Sequence, residues 1–110
     1  MSTPYADLPS YQQRVADFVG AHDMRASGEA RLLDLTAEVG ELAKEALRAT
    51  RYGREPLITD ERWDDELGDV FFSLVSLANA TGVDLEKVLE AALAKYAARI
   101  ARRGNPASGR

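Results

Sequence analysis

The 110-residue chain has no cysteine, one histidine and one tryptophan. Without cysteine it has no disulfides and no thiolate metal sites, and the cytoplasm is the default compartment. No apolar segment approaches the roughly 18 residues that a bilayer-crossing helix needs. The N-terminus has no basic stretch followed by an apolar run, so it does not resemble a secretory signal. These absences predict a soluble, intracellular protein that does not act at a membrane.

Composition and charge indicate one small globular domain. Hydrophobic residues make up 45% and charged residues 29% of the chain, which is typical of a folded protein. A domain of this size has little core to spare, so pairing with another copy is expected. The net charge of −4 argues against a polymeric nucleic acid as partner, because such binding depends on Lys and Arg.

Apolar residues recur at helical spacing along the chain, and no segment alternates as a strand would. The pattern predicts four helices at about 10–22, 29–51, 60–80 and 85–102, and therefore an all-α, four-helix bundle. Asp60 or Thr59 and then Asp84 are expected N-caps, and Gly53 an expected left-handed C-cap. The predicted inward faces of the last two helices are Trp63, Leu67, Val70, Phe71, Leu74, Leu77 and Ala78, and then Val88, Leu89, Ala92, Leu93, Tyr96 and Ile100.

Acidic residues cluster on the two central helices. On the second helix they recur at steps of four, three and four, and on the third Glu66 and Asp69 are spaced i, i+3. Around each helix axis, the acidic pair lies at the same angle from the neighbouring apolar residues, so both pairs border the apolar face of their helix. If the two helices pack antiparallel, four carboxylates converge on one seam. The four are Glu38, Glu41, Glu66 and Asp69, and Asp34 and Glu45 extend the first stripe.

Converging carboxylates repel one another, and a hard divalent cation removes that cost. Mg²⁺ prefers oxygen ligands and is typically shared between protein carboxylates and substrate phosphates. Neither His nor Cys lies near these positions, so Mg²⁺ or Mn²⁺ fits better than Zn²⁺. The alternative is a solvated acidic face, in which Lys44 and Arg48 neutralise Glu41 and Glu45.

The strings around these acids resemble the two signature helices of the MazG-like nucleotide pyrophosphohydrolases. They are LTAEVGELAKE, which ends at Glu45, and WDDELGDVFFSLVSLAN, which begins at Trp63. Glu38-x-x-Glu41 matches the ExxE pair of that family, and Glu66-x-x-Asp69 matches its ExxD pair. The resemblance covers about residues 28–100. We expect a single domain made of an N-terminal helix and connection (1–27), a catalytic helical core (28–102) and a disordered basic tail (103–110).

The resemblance implies an all-α enzyme that is a homodimer or homotetramer. Such enzymes split an NTP or dNTP into NMP and pyrophosphate, in some cases to remove damaging nucleotides. The positions that match the family motifs imply four Mg²⁺ ligands, Glu38, Glu41, Glu66 and Asp69. Either Glu38 or Glu41 is expected to accept the proton of the attacking water.

Substrate contacts follow the family less closely. Many relatives open the first motif with a double Glu, whereas this chain has Ala37 before Glu38, as the compact dCTP- or dUTP-cleaving relatives tend to. Lys95 is present on the last helix, but Arg99 stands where many relatives have Asn. The expected substrate-binding residues are Lys95 and Arg99 for phosphates, Trp63 for base stacking, and Lys44 and Arg48 near the acidic helix.

Two other functions remain open from the sequence. The first is a phosphoribosyl-ATP pyrophosphohydrolase, which uses the same kind of metal site on another substrate. The second is a non-catalytic helical interaction module whose acidic stripe binds a basic partner.

Overall fold

A computed structural model of the chain describes residues 9–107, and the described part is all-α. Four helices follow one another: α1 (Pro9–Ala21), α2 (Gly28–Ala49), α3 (Glu61–Ala80) and α4 (Leu85–Arg103). No strand occurs in this part of the chain. The fold class and helix order predicted from periodicity are confirmed.

Side-chain caps set the starts of the helices. Ser27 Oγ accepts from the backbone N–H of Ala30 at the start of α2. Asp60 and Asp84 accept from the first backbone N–H groups of α3 and α4 respectively, as the sequence predicts. These carboxylates satisfy orphan donors and also meet the positive end of the helix dipole.

The end of α2 differs from the prediction. The helix stops at Ala49, two residues earlier than expected, and its C-cap is Thr50 rather than Gly53. The Thr50 hydroxyl donates to the Ala46 carbonyl and accepts from the Gly53 N–H. Arg51, Tyr52 and Gly53 then have φ values of 51°, 59° and 82°. Three successive left-handed residues reverse the chain, and the two that are not glycine carry backbone strain.

The main packing unit is an antiparallel pair formed by α2 and α3, and α1 packs across α3. A Cβ added to Gly28, at the start of α2, would lie 3.0 Å from Thr81 Cγ2, at the end of α3. At the opposite end of the pair, Arg48 of α2 lies 3.6 Å from the α3 cap Asp60. This register brings the middle of α2 against the middle of α3.

Gln12 fastens α1 to the corner between α3 and α4. Its Nε2 donates to Asn79 Oδ1 (3.0 Å) and to the Val83 carbonyl (2.7 Å), and its Oε1 accepts from the Leu85 N–H (2.9 Å). Asn79 Nδ2 donates in return to the Gln12 carbonyl. One glutamine side chain thereby fixes the point from which α4 departs.

The apolar core within one chain is small. Val75 is fully buried and Ala78 nearly so, whereas α4 makes little contact with the other helices and holds no buried residue in the described part. The prediction of inward faces is therefore partly wrong, because within the described chain the α4 face is left uncovered and the α3 face is covered only in part. The large apolar residues left exposed on those two faces are Leu67, Phe71, Leu74, Val88, Leu89, Leu93, Tyr96 and Ile100.

Two further observations concern the ends of the chain and the membrane. Helix α4 runs one residue past its predicted end, Gly104 caps it with φ 81°, and Arg99 donates to the Pro106 carbonyl. The tail proposed for residues 103–110 extends beyond the described residues at 108–110. None of the described helices combines the length and apolar character that a membrane span requires.

Candidate metal centre

One face of α2 carries six charged residues, spaced alternately three and four residues apart. Steps of three and four residues keep these side chains on one side of the helix, along the α3 interface. The facing stripe on α3 is also polar. The α2 series is Arg31, Asp34, Glu38, Glu41, Glu45 and Arg48, and the α3 series is Glu66, Asp69, Ser73 and Ser76.

Most acids of the α2 series have a basic partner. Asp34 Oδ2 lies 3.7 Å from Arg31 Nη1, and Glu41 Oε2 lies 3.9 Å from Lys44 Nζ. Glu45 is 8% exposed and is held by Arg48, whose Nε donates to both of its carboxylate oxygens. Hydrogen bonding from Arg48 is the main reason that the pKa of Glu45 lies below its ordinary value. Lys44 and Arg48 thus neutralise Glu41 and Glu45, as the alternative interpretation of the stripe expected.

Glu38, Glu66 and Asp69 form the remaining group. Glu38 and Glu66 are half-buried, Asp69 is exposed, and one carboxylate oxygen from each lies within 4.8 Å of the others. No ion pair within residues 9–107 involves any of these three carboxylates. The antiparallel pair therefore concentrates negative charge at one point of its seam while neutralising acids on either side.

This crowding has an electrostatic consequence at Glu66. Burial raises the pKa of Glu66, and the nearby charges of Asp69, Glu41, Asp65 and Glu38 raise it further. Both causes disfavour the ionised form. The influence of Glu41 and Glu38 on Glu66 also indicates that acids of both helices act at one place.

The three carboxylates suit a hard divalent cation. Mg²⁺ holds oxygen ligands at about 2.1 Å in an octahedron, so adjacent ligands lie about 3.0 Å apart and opposite ligands about 4.2 Å apart. Oxygens within 4.8 Å of one another reach these spacings through side-chain rotations. The half-buried glutamates come from rigid helices, and the exposed Asp69 leaves one side open to water and phosphate. The donor set consists of carboxylate oxygens, which fits a cation of this class.

The structure places the fourth predicted ligand, Glu41, beside this group rather than within it. Its carboxylate faces Lys44, and both side chains are largely exposed. Its charge nevertheless acts on Glu66, so it lies at the border of the cluster.

The proposed substrate-binding residues fall into two groups. Trp63 is half-buried one turn before Glu66, and Lys44 and Arg48 lie on α2, where Arg48 is shared between Glu45 and Asp60. Lys95 and Arg99 lie on α4 and flank the Tyr96 ring at 4.9 and 5.9 Å from its centroid. No described ion pair or hydrogen bond joins these two α4 cations to the acidic cluster.

Sequence analysis missed the polar residues at the other end of the seam. Arg31 and Ser76 are both buried, and neither belongs to the family motifs. A signal was available, because Arg31 lies seven residues before Glu38 and Ser76 lies seven residues after Asp69. A heptad step preserves the helix face, so both residues continue the acidic stripes.

Comparison with known proteins identifies the family of the chain. A family model described as the MazG nucleotide pyrophosphohydrolase domain matches residues 26–103. The uncharacterized protein YpjD of Bacillus subtilis (strain 168) is 38% identical over 73 residues, which span 64% of this chain and 64% of that protein. No solved structure matches the chain. Because the family match covers far more than half of the chain, including both acidic pairs, the chain belongs to the MazG nucleotide pyrophosphohydrolase domain family.

Proposed function

We propose that the chain is a Mg²⁺-dependent pyrophosphohydrolase that converts an NTP or dNTP to NMP and pyrophosphate. The observation that carries this proposal is the convergence of Glu38, Glu66 and Asp69 without a basic partner, beside acids that have one. If the acids only formed a solvated face, there would be no reason for these three carboxylates to lack basic partners while their neighbours have them. Membership of the family supplies the reaction class.

Glu38, Glu66 and Asp69 would hold the cation, with Mn²⁺ as a possible substitute. When bound, the ion would offset phosphate charge and acidify the attacking water. Glu41 lies beside the three ligands and is the carboxylate best placed to accept the proton of that water. Attack of the water oxygen on the α-phosphorus breaks the bond to the bridging oxygen, and pyrophosphate leaves with that oxygen.

We further propose that the active protein is a homo-oligomer in the cytoplasm. Support comes from α4, whose apolar residues are exposed, with Leu93 58% accessible. Covering this face with a second copy would bury it and order the helix that carries Lys95 and Arg99. These two cations and Trp63 remain our candidates for contact with substrate phosphates and base.

The test is pyrophosphate release from a panel of canonical and modified NTPs and dNTPs and from phosphoribosyl-ATP. Each is assayed with Mg²⁺, with Mn²⁺ and with EDTA. We expect metal-dependent release of pyrophosphate from one or a few nucleotides and no release in EDTA. The cellular role that follows from this activity is the removal of those nucleotides.

The other outcomes decide between the alternatives. Release from phosphoribosyl-ATP alone would replace the substrate class while keeping the metal site. No release from any substrate by folded protein would contradict the proposal and favour a binding module.

A further inference from the structure

A cavity of about 450 Å³ lies between α1, the connection to α2, the start of α2 and the end of α3. Its apolar walls come mainly from α1, through Val15 and Val19. Its polar lining includes Arg25, Arg31 and Ser76. The acidic cluster contributes no residue to this lining, so the cavity is a separate feature of the seam.

Arg31 is an unusual residue for such a wall, because it is only 7% exposed. Its Nη2 donates to the Met24 carbonyl, and its guanidinium lies 6.0 Å from the centroid of the Phe72 ring. The exposed Asp34 is its counter-ion, at 3.7 Å. A guanidinium has five N–H donors in a fixed fork, and these contacts leave several of them unused.

Ser76 belongs to the same wall, but its hydroxyl oxygen is buried from solvent. The residue is 4% exposed, and its Oγ has no hydrogen-bond partner within the described part of the chain. Buried hydroxyls are normally satisfied. The neighbouring Asn79 is different, since both ends of its amide are engaged by Gln12. Because a serine hydroxyl both donates and accepts, the group that offers only donors to the cavity is Arg31.

The cavity lies within reach of the acidic cluster. Arg31 and Glu38 are seven residues apart on one face of α2, which places them about 10.5 Å apart along the helix axis. A nucleotide in an extended conformation spans a comparable distance from its base to its β-phosphate. A ligand whose phosphates lie at the three carboxylates can thus place its base towards Arg31.

We infer that this cavity receives the base of the substrate nucleotide and that Arg31 donates hydrogen bonds to a ring carbonyl. The inference rests on the proposed function and names the substrate class. Uracil, thymine and guanine carry a carbonyl where cytosine and adenine carry an amino group. An amino group facing these donors leaves polar groups unpaired, so a preference of about tenfold or more for keto bases follows.

Binding is tested first without turnover. Uridine, cytidine, guanosine and adenosine are titrated separately into the ¹⁵N-labelled chain in EDTA, and the Arg31 Nε–H and Ser76 amide signals are followed. The expected result is that uridine and guanosine shift both signals at lower concentration than cytidine and adenosine. Equal shifts for all four, or shifts caused by inorganic pyrophosphate instead, would overturn the inference.

Two variants then test the contacts. Arg31→Lys keeps the positive charge but removes the fork of donors, so the preference for uridine over cytidine is expected to fall towards unity, whereas Ser76→Ala should retain it. An unchanged preference in Arg31→Lys would mean that the guanidinium serves only Met24 and Asp34 and would overturn the inference.

Gly20→Leu fills the cavity, since a Cβ at Gly20 meets no atom within 4 Å, and nucleoside binding should be lost. Ala21→Leu, on the adjacent exposed position, is the matched control.

The outcomes separate this inference from the proposed function. Metal-dependent pyrophosphate release without base preference, and unaffected by Gly20→Leu, contradicts the inference and leaves the enzyme assignment standing. Selective nucleoside binding at Arg31 by a chain that releases no pyrophosphate contradicts the assignment and supports the cavity as a base site.

Discussion

Glu45 shows, at the scale of single residues, how this chain keeps a carboxylate charged inside a helix interface. A buried unpaired carboxylate would be neutralised. Arg48 prevents this by hydrogen bonding to Glu45 while also lying near the α3 cap Asp60. Glu66 has no such partner, and its pKa moves in the opposite direction. The same residue type therefore serves structure at one step of the seam and, in our proposal, cation binding at another.

The Glu45–Arg48 pair predicts a specific dependence of stability on pH. The folded state lowers the pKa of Glu45 below its ordinary value of 4.5, so the unfolded chain binds this proton more readily. The stabilisation is present above about pH 4.5 and is lost as the pH falls through the folded pKa. Glu45→Gln should lower the free energy of unfolding at pH 7, and the difference from wild type should shrink on acidification.

Urea unfolding at several pH values measures this effect. Glu90→Gln, at an exposed position of α4, is the control and should change stability by less than about 0.5 kcal/mol. A Glu45→Gln difference that stays constant from pH 7 to pH 3 would contradict the role assigned to Arg48.

The sequence predicted that carboxylates of α2 and α3 would converge, and the structure brings three of the four together. It did not predict their neutral and basic neighbours. Glu38, Glu66 and Asp69 were found because carboxylates at i, i+3 on two apolar borders are chemically conspicuous. Arg31 and Ser76 were missed because one Arg and one Ser on a helix have many ordinary explanations. Their significance depends on burial, which the pattern alone does not reveal.

At the scale of helices, Gln12 is the main fastening between α1 and the corner where α4 begins. Gln12→Ala removes three hydrogen bonds and leaves Asn79 partly unpaired. The expected loss in the free energy of unfolding is about 2 kcal/mol. The neighbouring Gln13 bonds only to Asp17 on its own exposed surface, so Gln13→Ala is a closely matched control.

Chemical denaturation of the two glutamine variants decides this point. Gln13→Ala should stay within about 0.5 kcal/mol of wild type. Equal effects of the two substitutions would show that Gln12 does not fasten the corner.

Helix starts were easier to predict than the end of α2. Asp60 and Asp84 precede apolar periodic runs, and a carboxylate at that point has one obvious partner, the free N–H groups of the first turn. The end of α2 was misplaced because Gly53 seemed the natural left-handed residue. The Thr50 hydroxyl ends the helix earlier, and Arg51 and Tyr52 adopt left-handed conformations that their side chains disfavour. Side-chain bonding outweighed intrinsic backbone preference at this turn.

At the scale of the whole molecule, the chain has more apolar surface than its own helices cover. The periodicity correctly marked Leu89, Leu93, Tyr96 and Ile100 as one face of α4. It could not show that the face lacks a cover within the described chain, because amphipathic patterns are the same for a core and an interface. This difference explains why the fold class was predicted and the core was not.

The exposed face of α4 predicts self-association. Leu93→Glu places a charge in the centre of this face, and we expect the mass measured by sedimentation equilibrium to fall to that of one chain. Ala98→Glu adds the same charge on the opposite side of α4 and should leave the assembly intact. A monomeric wild-type protein, or an unchanged mass for Leu93→Glu, would contradict the proposed homo-oligomer.

The central claim is that Glu38, Glu66 and Asp69 bind the cation that pyrophosphate release requires. The most direct measurement compares Mg²⁺-dependent pyrophosphate release by wild type, Asp69→Asn and Asp34→Asn, using the best substrate of the panel. Asp69 belongs to the convergent group, whereas Asp34 is an exposed acid of the same seam with Arg31 as its partner. We predict at least a hundredfold loss for Asp69→Asn, no large change for Asp34→Asn, and intact helical folds in both. Activity of Asp69→Asn near the wild-type level would contradict the account.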